Sequence, residues 1–408
     1  MAVSAFAEVT LSEIADFRNG KALSPERYLA SGKHPVFGSN GQIACTDELL
    51  NLKPVIVIGR VGAYCGSVHY VQKPSWVTDN AIIAEPKAGN DLRYLFYLLG
   101  SLELQRTAIG SAQPLMTQSG LKVVRTKAPP LAEQKAIATV LGALDDKIEL
   151  NQRMNATLEA MARALFQSWF VDFDPFHAKA AGDQPSGIDF ATSALFPSDF
   201  QDSDLGLIPK GWGVRSLDKV ANYLNGLALQ KYPPNEDPTL PVIKIAQLRK
   251  GDSVGADRCS SSVPSDYIVM DGDVLFSWSG SLEVEIWSGG IGALNQHIFK
   301  VTSSEFPKWF YYLWTCQHLE NFRLIAASKA TTMGHIQRVH LTQAKTLIPP
   351  NSLMEAMTCT MAPIIDKIRA NRVQSRNLAA LRDALLPKLL SGELPAASVA
   401  ALPLSEQP

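Results

Sequence analysis

Thr10-Leu-Ser-Glu-Ile-Ala-Asp-Phe-Arg-Asn-Gly-Lys-Ala-Leu23 aligns without a gap on Ser216-Leu-Asp-Lys-Val-Ala-Asn-Tyr-Leu-Asn-Gly-Leu-Ala-Leu229, with six identities in fourteen positions at an offset of 206. The likeness continues down the chain. Tyr94-Leu-Phe-Tyr-Leu98 matches Trp309-Phe-Tyr-Tyr-Leu313 at 215, and Pro129-Pro130 matches Pro349-Pro350 at 220. The offset then holds through Asp146-Lys-Ile148 with Asp366-Lys-Ile368, Asn151 with Asn371, Leu158 with Leu378, and Ala164-Leu165 with Ala384-Leu385. A unit of this length is a duplicated domain, because solenoid repeats run about 20 to 50 residues. Each copy opens with β-branched and aromatic runs broken by turn signals. These are Asn19-Gly20, Asn40-Gly41 and Gly59-Arg-Val-Gly62 in copy one, and Asn225-Gly226 and Asp271-Gly272 in copy two. A mainly β part with some helix follows, and three- and four-residue apolar spacing places a helix at 92–103 and another at 307–321.

After each Pro-Pro pair the period changes to that of a long helix. Ile137, Leu144, Leu158 and Leu165 recur every seven residues between Leu131 and Phe170, as do Met357, Ile364, Leu378 and Leu385 in copy two. About 40 helical residues span about 60 Å, which predicts projecting arms. Pro363 and Pro387 are expected to kink or end the second helix, and Gly142 marks the weak point of the first. The seam position that should be apolar is Asn151 in one helix and Asn371 in the other. Two readings stand: paired helices whose register the amides help to set, or amides solvated at a helix edge. Between the copies, 174–210 reads as an irregular connector, and 391–408, rich in Ala and Pro, as a frayed tail.

The whole chain has 408 residues, with 38 Lys plus Arg against 39 Asp plus Glu, which argues against the simplest picture of one basic domain neutralising many phosphates unaided but does not exclude DNA, because opposite charges can segregate along a chain. Apolar runs such as Pro54–Ile58 are strand-sized, which predicts no membrane span, and no signal segment is read at the start, so a cytoplasmic location is expected. Five cysteines, widely spaced and never in a Cys-x-x-Cys pair, argue against a disulfide framework or a structural zinc. His335 and His340 lack metalloprotease spacing, and no metal is expected. There is no Gly-x-Gly-x-x-Gly, no phosphate loop, no Gly-x-Ser-x-Gly, and no Asn/Asp-Pro-Pro-aromatic tetrad for amine methylation. Asp145-Asp146-Lys147 looks nuclease-like only on the surface and reads as a solvated helix face. The chain is therefore expected to bind and not to catalyse. Its approximate two-fold symmetry suits two unlike half-sites on duplex DNA, ideally about 34–36 Å apart. A self-contained methyltransferase and a helical scaffold unrelated to DNA are the alternatives, the first disfavoured by its missing motifs.

Pro129-Pro-Leu-Ala-Glu-Gln-Lys-Ala-Ile137, Leu144-Asp-Asp-Lys-Ile-Glu-Leu-Asn151, Leu158-Glu-Ala-Met-Ala-Arg-Ala-Leu-Phe-Gln-Ser-Trp-Phe-Val-Asp-Phe173 and Ile208-Pro-Lys-Gly-Trp212 together resemble the type I restriction–modification specificity subunits. Copy two departs from the pattern, with Asn351-Ser-Leu-Met354 in place of Leu-Ala-Glu-Gln. The resemblance implies an α+β fold of two tandem mixed α/β target recognition domains, 1–128 and 211–348. Each is followed by a long helix, 129–173 and 349–391, the two packing as an antiparallel coiled-coil spacer, with a linker at 174–210 and a tail at 392–408. It implies double-stranded DNA as ligand and two modification (methyltransferase) subunits as partners, and it admits two restriction/translocase subunits. S-adenosylmethionine, ATP and Mg are expected on those partners and no cofactor on this chain.

Exposed-loop polar side chains are the candidates for base and phosphate contacts. In copy one these are Arg18, Lys21, Asn40, Arg60, Tyr64, Asn80, Gln113 and Thr117. In copy two they are Asn225, Lys244, Gln247, Trp278, Asn295, Gln296, His297, Lys329, Thr331 and Thr332. The segments 111–117 and 331–337 match at offset 220 and are the preferred base-reading loops, while Trp278 also fits a core. Met154, Met161, Phe166, Trp169 and Phe170 on the first helix, and Leu378, Leu385 and Leu389 on the second, are candidates for the partner-subunit contact, with packing between the helices as the competing account.

Overall fold

The computed structural model describes residues 6–110, 114–235, 238–328 and 334–400. The chain divides into two compact units: one takes the sequence up to Ile148 and from Leu378 on, the other runs from Glu149 to Asn377. Each holds one copy of the repeat and a stretch of both long helices, Leu131–Phe170 and Asn351–Ser391.

The two copies share one topology. In copy one a four-stranded sheet runs Ala15–Asn19, Ala81–Pro86, Val55–Gly59, Val68–Val71, beside a three-stranded sheet of Gly41–Thr46, His34–Gly38 and Trp76–Val77. In copy two the matching order is Asn222–Asn225, Ile298–Thr302, Val274–Ser277, Val284–Ile286, and the second sheet gains a strand, Arg258–Ser260, Thr239–Ile243, Gly292–Leu294, Ile268–Val269. Register confirms the equivalence. Phe17 and Ile56 both face Ala84 across the first sheet, as Tyr223 and Val274 both face Val301. Parallel pairing of Phe37 with Val77 recurs as Ile243 with Leu294. The offset is 206 on the first of these strands and 217 on the second, so eleven residues were gained between them, and helix Ile245–Lys250 lies in that stretch. The expected helices at 92–103 and 307–321 are Leu92–Ser101 and Lys308–Ser328.

Core positions keep their character across the copies because burial demands it. Leu11 and Leu217, Ile14 and Val220, Phe17 and Tyr223, and Leu121 and Leu341 are buried pairs. Of the expected turns, Asn40-Gly41 closes a hairpin with Gly41 at φ +84°, but Asn19-Gly20 and Asn225-Gly226 do not turn the chain there. Each of these glycines continues an edge strand under a crossing backbone. A Cβ on Gly20 would stand 2.1 Å from the Thr78 carbonyl oxygen, and one on Gly226 would stand 2.2 Å from that of Asn295.

The long helices are not free arms. In the first unit Ile137, Leu141, Leu389 and Leu390 join the core of copy one. In the second, Phe166, Phe170, Met357, Met361 and Ile368 join that of copy two. Helix Asn351–Ser391 runs through both prolines without ending. Pro363 and Pro387 are exposed, and so are Cys359 and Asp383 four residues earlier, so water can take the carbonyls that lose their donors. Gly142 is a packing site and not a weak point: the Arg93 guanidinium lies on it, donating to its carbonyl at 3.0 Å and to both Asp146 oxygens at 2.9 and 2.7 Å.

The Asp145-Asp146-Lys147 face is solvated at Asp146 and Lys147, but Asp145 is half-buried and both carboxylates have partners. Asp145 accepts from Tyr97 and, at 2.7 Å, from Arg382, and the Arg93 hydrogen bonds hold the Asp146 carboxyl below its ordinary range. The connector is ordered, with helices Asp174–Ala180 and Phe190–Leu195 and a hairpin of Phe200–Ser203 with Gly206–Pro209. Phe176 anchors it between Phe196 and Trp212, ring centroids 5.1 and 5.2 Å away. The tail is likewise docked as far as it is described: Ala396 is fully buried in the core of copy one, and its N–H donates to Glu133.

The seam amides are buried, which removes the solvated reading. Within the second unit Asn151 Nδ2 donates to Gln374 Oε1 at 2.9 Å and Asn371 Nδ2 to Asn155 Oδ1 at 2.9 Å, while Asn155 Nδ2 reaches the Ile368 carbonyl at 3.2 Å. Later residues of one helix face earlier residues of the other, so the pair is antiparallel. Arg372 ties this pair to the sheet, bridging Glu159 at 2.8 Å and Glu285 at 2.9 Å, and Arg376 reaches Asp271 at 2.8 and 2.9 Å.

Candidate nucleic-acid interface

Four chain segments of each copy converge where the first sheet ends, and backbone hydrogen bonds fix them identically. Gly20 N–H donates to the Ala81 carbonyl and Gly226 N–H to that of Ile298, both at 3.0 Å. Arg60 N–H donates to the Asn80 carbonyl at 3.0 Å and Trp278 N–H to that of His297 at 3.2 Å. The carbonyls of Arg60 and Trp278 then accept from Met116 at 2.8 Å and Ile336 at 3.0 Å. Gly62 and Gly280 complete the match by donating to Pro114 and Gly334. Both copies thus build one small platform from the same strand ends, the same turn and the same loop.

Apart from Leu115 and the buried Ser279, the side chains it carries are polar or aromatic and at least partly open to solvent, and they differ between copies. In copy one the Arg60 guanidinium rests on the Asp79 carbonyl at 3.1 Å, and the amides of Gln118 and Asn19 meet at 3.1 Å. Thr117 caps the short helix Gln118–Lys122 by accepting from Gly120 N–H at 3.1 Å. In copy two Asn225 accepts from the Trp278 indole at 2.7 Å, and that ring lies 5.8 Å from His297 and 6.3 Å from His335. Ser279 Oγ and His297 Nδ1 are 3.0 Å apart, and Arg338 stacks over Phe299 while donating to the Tyr223 carbonyl at 3.1 Å. Hydrogen-bonding heads dominate one platform, and an aromatic and imidazole surface the other. Trp278 is half-buried, packed on Phe299 with one edge open, so it is neither wholly core nor wholly surface.

The residues named from sequence fall into groups. Arg60, Asn80 and Thr117 lie together on the first platform, and Asn225, Trp278 and His297 on the second. Gln296 follows the second turn, its amide 3.3 Å from His297 Nε2. Asn295 is buried beneath it, its side-chain oxygen 3.3 Å from His297 N. Asn40 and Tyr64 are exposed, and Lys21 is exposed while its carbonyl accepts from Trp76. Arg18 is committed to Asn51 at 2.6 Å and Glu85 at 3.2 Å. Lys244 pairs with Asp257, and Gln247 is buried, accepting from Lys244 N–H at the start of its own helix, so its amide is consumed locally. Gln113, Lys329, Thr331 and Thr332 lie outside the described residues, as does part of each preferred loop. Sequence reasoning passed over Asn19, Gln118 and Arg338, and it included His335 and Gln337 only as members of the preferred loop 331–337. Asn19 is in the opening alignment, and the constant offset of 220 pairs Gln118 with Arg338, so the signal was there.

Among the partner-contact candidates, Phe166, Trp169 and Phe170 are spent on the core of the second unit, where Phe170 meets Trp212, Phe310 and Trp314 at 5.3 to 5.8 Å, and Leu389 is buried in the first. These four present no surface. Met161 is exposed, and Met154, Leu378 and Leu385 are half-buried. Among the described residues no three His, Cys, Asp or Glu side chains gather as a metal site, and no helix is long and apolar enough to cross a membrane.

Residues 4–160 match the type I restriction modification DNA specificity domain. The chain is 29% identical over 322 residues to the type I restriction enzyme MjaIX specificity subunit of Methanocaldococcus jannaschii, covering 76% of this chain and 70% of that one. It is 24% identical over 373 residues to the HindI specificity subunit of Haemophilus influenzae, covering 78% and 81%. Its fold is shared with the crystal structure of a type I restriction–modification S subunit from M. genitalium, at a TM-score of 0.63 over 94% of this chain and 96% of that one, with 16% identity. The duplicated platform, the antiparallel helix pair and these likenesses agree: the chain is similar, in sequence over most of its length and in fold, to type I restriction–modification specificity subunits.

Proposed function

We propose that this chain is the DNA sequence-specificity subunit of a type I restriction–modification complex. Each platform reads one half of a bipartite, asymmetric site in duplex DNA, and the helices serve as spacer and scaffold. The observation that carries this reading is the repetition of one backbone frame with unlike polar side chains, as two different half-sites require. Two methyltransferase subunits dock on the helices and supply S-adenosylmethionine chemistry, and restriction–translocase subunits that use ATP and Mg join the same assembly. This chain selects the site and performs no bond-making step. Met161 and the flanking half-buried Met154 are its contact with a partner on the first helix, with Leu378 and Leu385 on the second. A helical scaffold unrelated to DNA has no use for two polar platforms on one repeated frame.

Sequencing of DNA methylation in cells with and without the gene tests the reading. A split motif vanishes with the gene, and a methylome that is unchanged refutes it. The spacer has its own test. Deleting four residues from one helix removes about 6 Å of rise, so the gap between the half-sites must change, and an unaltered gap overturns the ruler.

A further inference from the structure

Resting on that reading, we propose that specificity is set at aligned positions of the two platforms: Arg60, Asn80, Leu115 and Gln118 for one half-site, and their counterparts Trp278, His297, His335 and Arg338 for the other. Three observations lead there. First, the backbone at these positions is held by the same hydrogen bonds in both copies, Arg60 to Asn80 and Met116, Trp278 to His297 and Ile336. Isolated β-bridges join Val61 to Leu115 and Ser279 to His335, which fixes the last loop in the same register. Second, the side chains change chemistry at every one of the four: guanidinium to indole, amide to imidazole, isobutyl to imidazole, amide to guanidinium. Beside them Gly59 gives way to the buried Ser277 and Val61 to the buried Ser279, but the pairs that pack the loop and the sheet into the core keep one character. Met116 and Ile336 stay apolar, as do the pairs Leu121 and Leu341 or Ile56 and Val274. A position that only supported the loop would be held to one chemistry by its neighbours, as these are. Third, none of the eight side chains is buried to the degree of the core, so each keeps some surface open to solvent.

Their chemistry fits base edges and base faces. Arg60 and Arg338 can take guanine through two donors, Asn80 and Gln118 can take adenine through a donor and an acceptor, and Leu115 offers apolar contact to a thymine methyl. His297 and His335 flank the Trp278 ring, a planar surface against which a base or its methyl group packs. Asn19 and Asn225 are the invariant member of the set. Asn225 accepts from Trp278 and Asn19 meets Gln118, so this asparagine orients the variable residues in both copies.

The test uses the assembled complex in cells, read by methylation sequencing. One variant, W278R/H297N, gives copy two the residues that copy one carries on the same backbone frame. A second, H335L, does so in the loop alone. The inference expects each variant to change or relax bases in one half of the motif, with the other half and the gap untouched. Methylation of the original motif by both variants overturns it. Loss of methylation at every site by both variants, in a complex that still assembles, also overturns it, because residues that merely hold the loop together would give that result. Absence of any split motif from cells with the unaltered gene is a different outcome and refutes the specificity-subunit reading instead.

Discussion

Asn371→Leu and Asn151→Leu replace equivalent seam residues, yet their costs must differ. Asn371 is 2% exposed and donates to Asn155 Oδ1, the acceptor of a residue itself only 7% exposed. Leucine at 371 strands that acceptor away from water, at a cost of about 1–3 kcal/mol. Asn151 is fully buried, but its own Oδ1 has no donor, so an unsatisfied acceptor is already present. Its Nδ2 donates at 2.9 Å to Gln374, which is exposed and can turn to water when the donor is lost, and at the longer distances of 3.3 and 3.4 Å to the half-buried Ser375 hydroxyl and to the Asn371 carbonyl within its own helix. Leucine at 151 therefore removes an existing penalty, adds apolar burial, and leaves stability within about 1 kcal/mol of the parent or above it. At about 2–4 °C per kcal/mol for a unit of this size, N371L lowers the midpoint of thermal unfolding by roughly 2–12 °C and N151L does not. Scanning calorimetry of the full chain reads the difference. Equal shifts in both variants would refute the network, since two solvated amides would respond alike.

Gly226→Ala must push its methyl into the Asn295 carbonyl, which is backbone and cannot swing aside, so it costs about 1–3 kcal/mol or more, whereas Gly213→Ala meets only Ile348 Cβ at 4.0 Å and is silent in chemical unfolding. Arg372→Met leaves Glu285 without its cation. Burial already pushes that carboxyl above its ordinary range, and losing Arg372 pushes it further. A carboxyl whose folded pKa is raised favours the fold below its unfolded pKa and loses that contribution as pH climbs through the folded value. The deficit of R372M against the parent is then large at neutral pH and shrinks on acidification, and a deficit independent of pH in unfolding titrations refutes the assignment. On the proposed function, with 38 basic against 39 acidic residues, the chain alone is expected to bind DNA weakly, and the slope of log affinity against log salt is expected to steepen on assembly with methyltransferase subunits; equal slopes would mean that this chain makes all the phosphate contacts.

The duplication, the helix seam and the seam position of the two asparagines were legible because periodicity and offset are properties of the chain itself, whereas the burial of those amides was not. What escaped was whatever depends on a distant partner. Gly142 reads as a helix breaker until Arg93 is seen lying on it, and Asp145 reads as solvated until Tyr97 and Arg382 arrive from elsewhere in the sequence. Phe166, Trp169 and Phe170 have the spacing of a docking face, and only the aromatic helix Lys308–Ser328 decides that they are core. The site shows the same division. Arg60 and Trp278 were singled out for their chemistry, but that they are one position in two copies follows from strand pairing and shared backbone bonds. Arg18 and Gln247 have suitable chemistry too, and local partners consume it.

The two copies also differ in how they grip the helices, and the difference has a direction. In copy one the cation belongs to the recognition part, Arg93, and the carboxylate to the first helix, Asp146. In copy two the cations belong to the second helix, Arg372 and Arg376, and the carboxylates to the recognition part, Glu285 and Asp271. Strand register matches the Ile56–Tyr70 pair with Val274–Ile286, which makes Lys53 the counterpart of Asp271 and His69 that of Glu285. Copy one seated on the arginines of the second helix would therefore set Lys53 against Arg376 and offer no carboxylate to Arg372. Attraction in the native pairing and repulsion in the exchanged one act together, and specificity of docking is the difference between them. A duplicated protein needs such a bias. Its two recognition parts share a fold and a core pattern, so apolar packing alone distinguishes them poorly, and an asymmetric site in DNA has one meaning only if each part stays on its own stretch of helix.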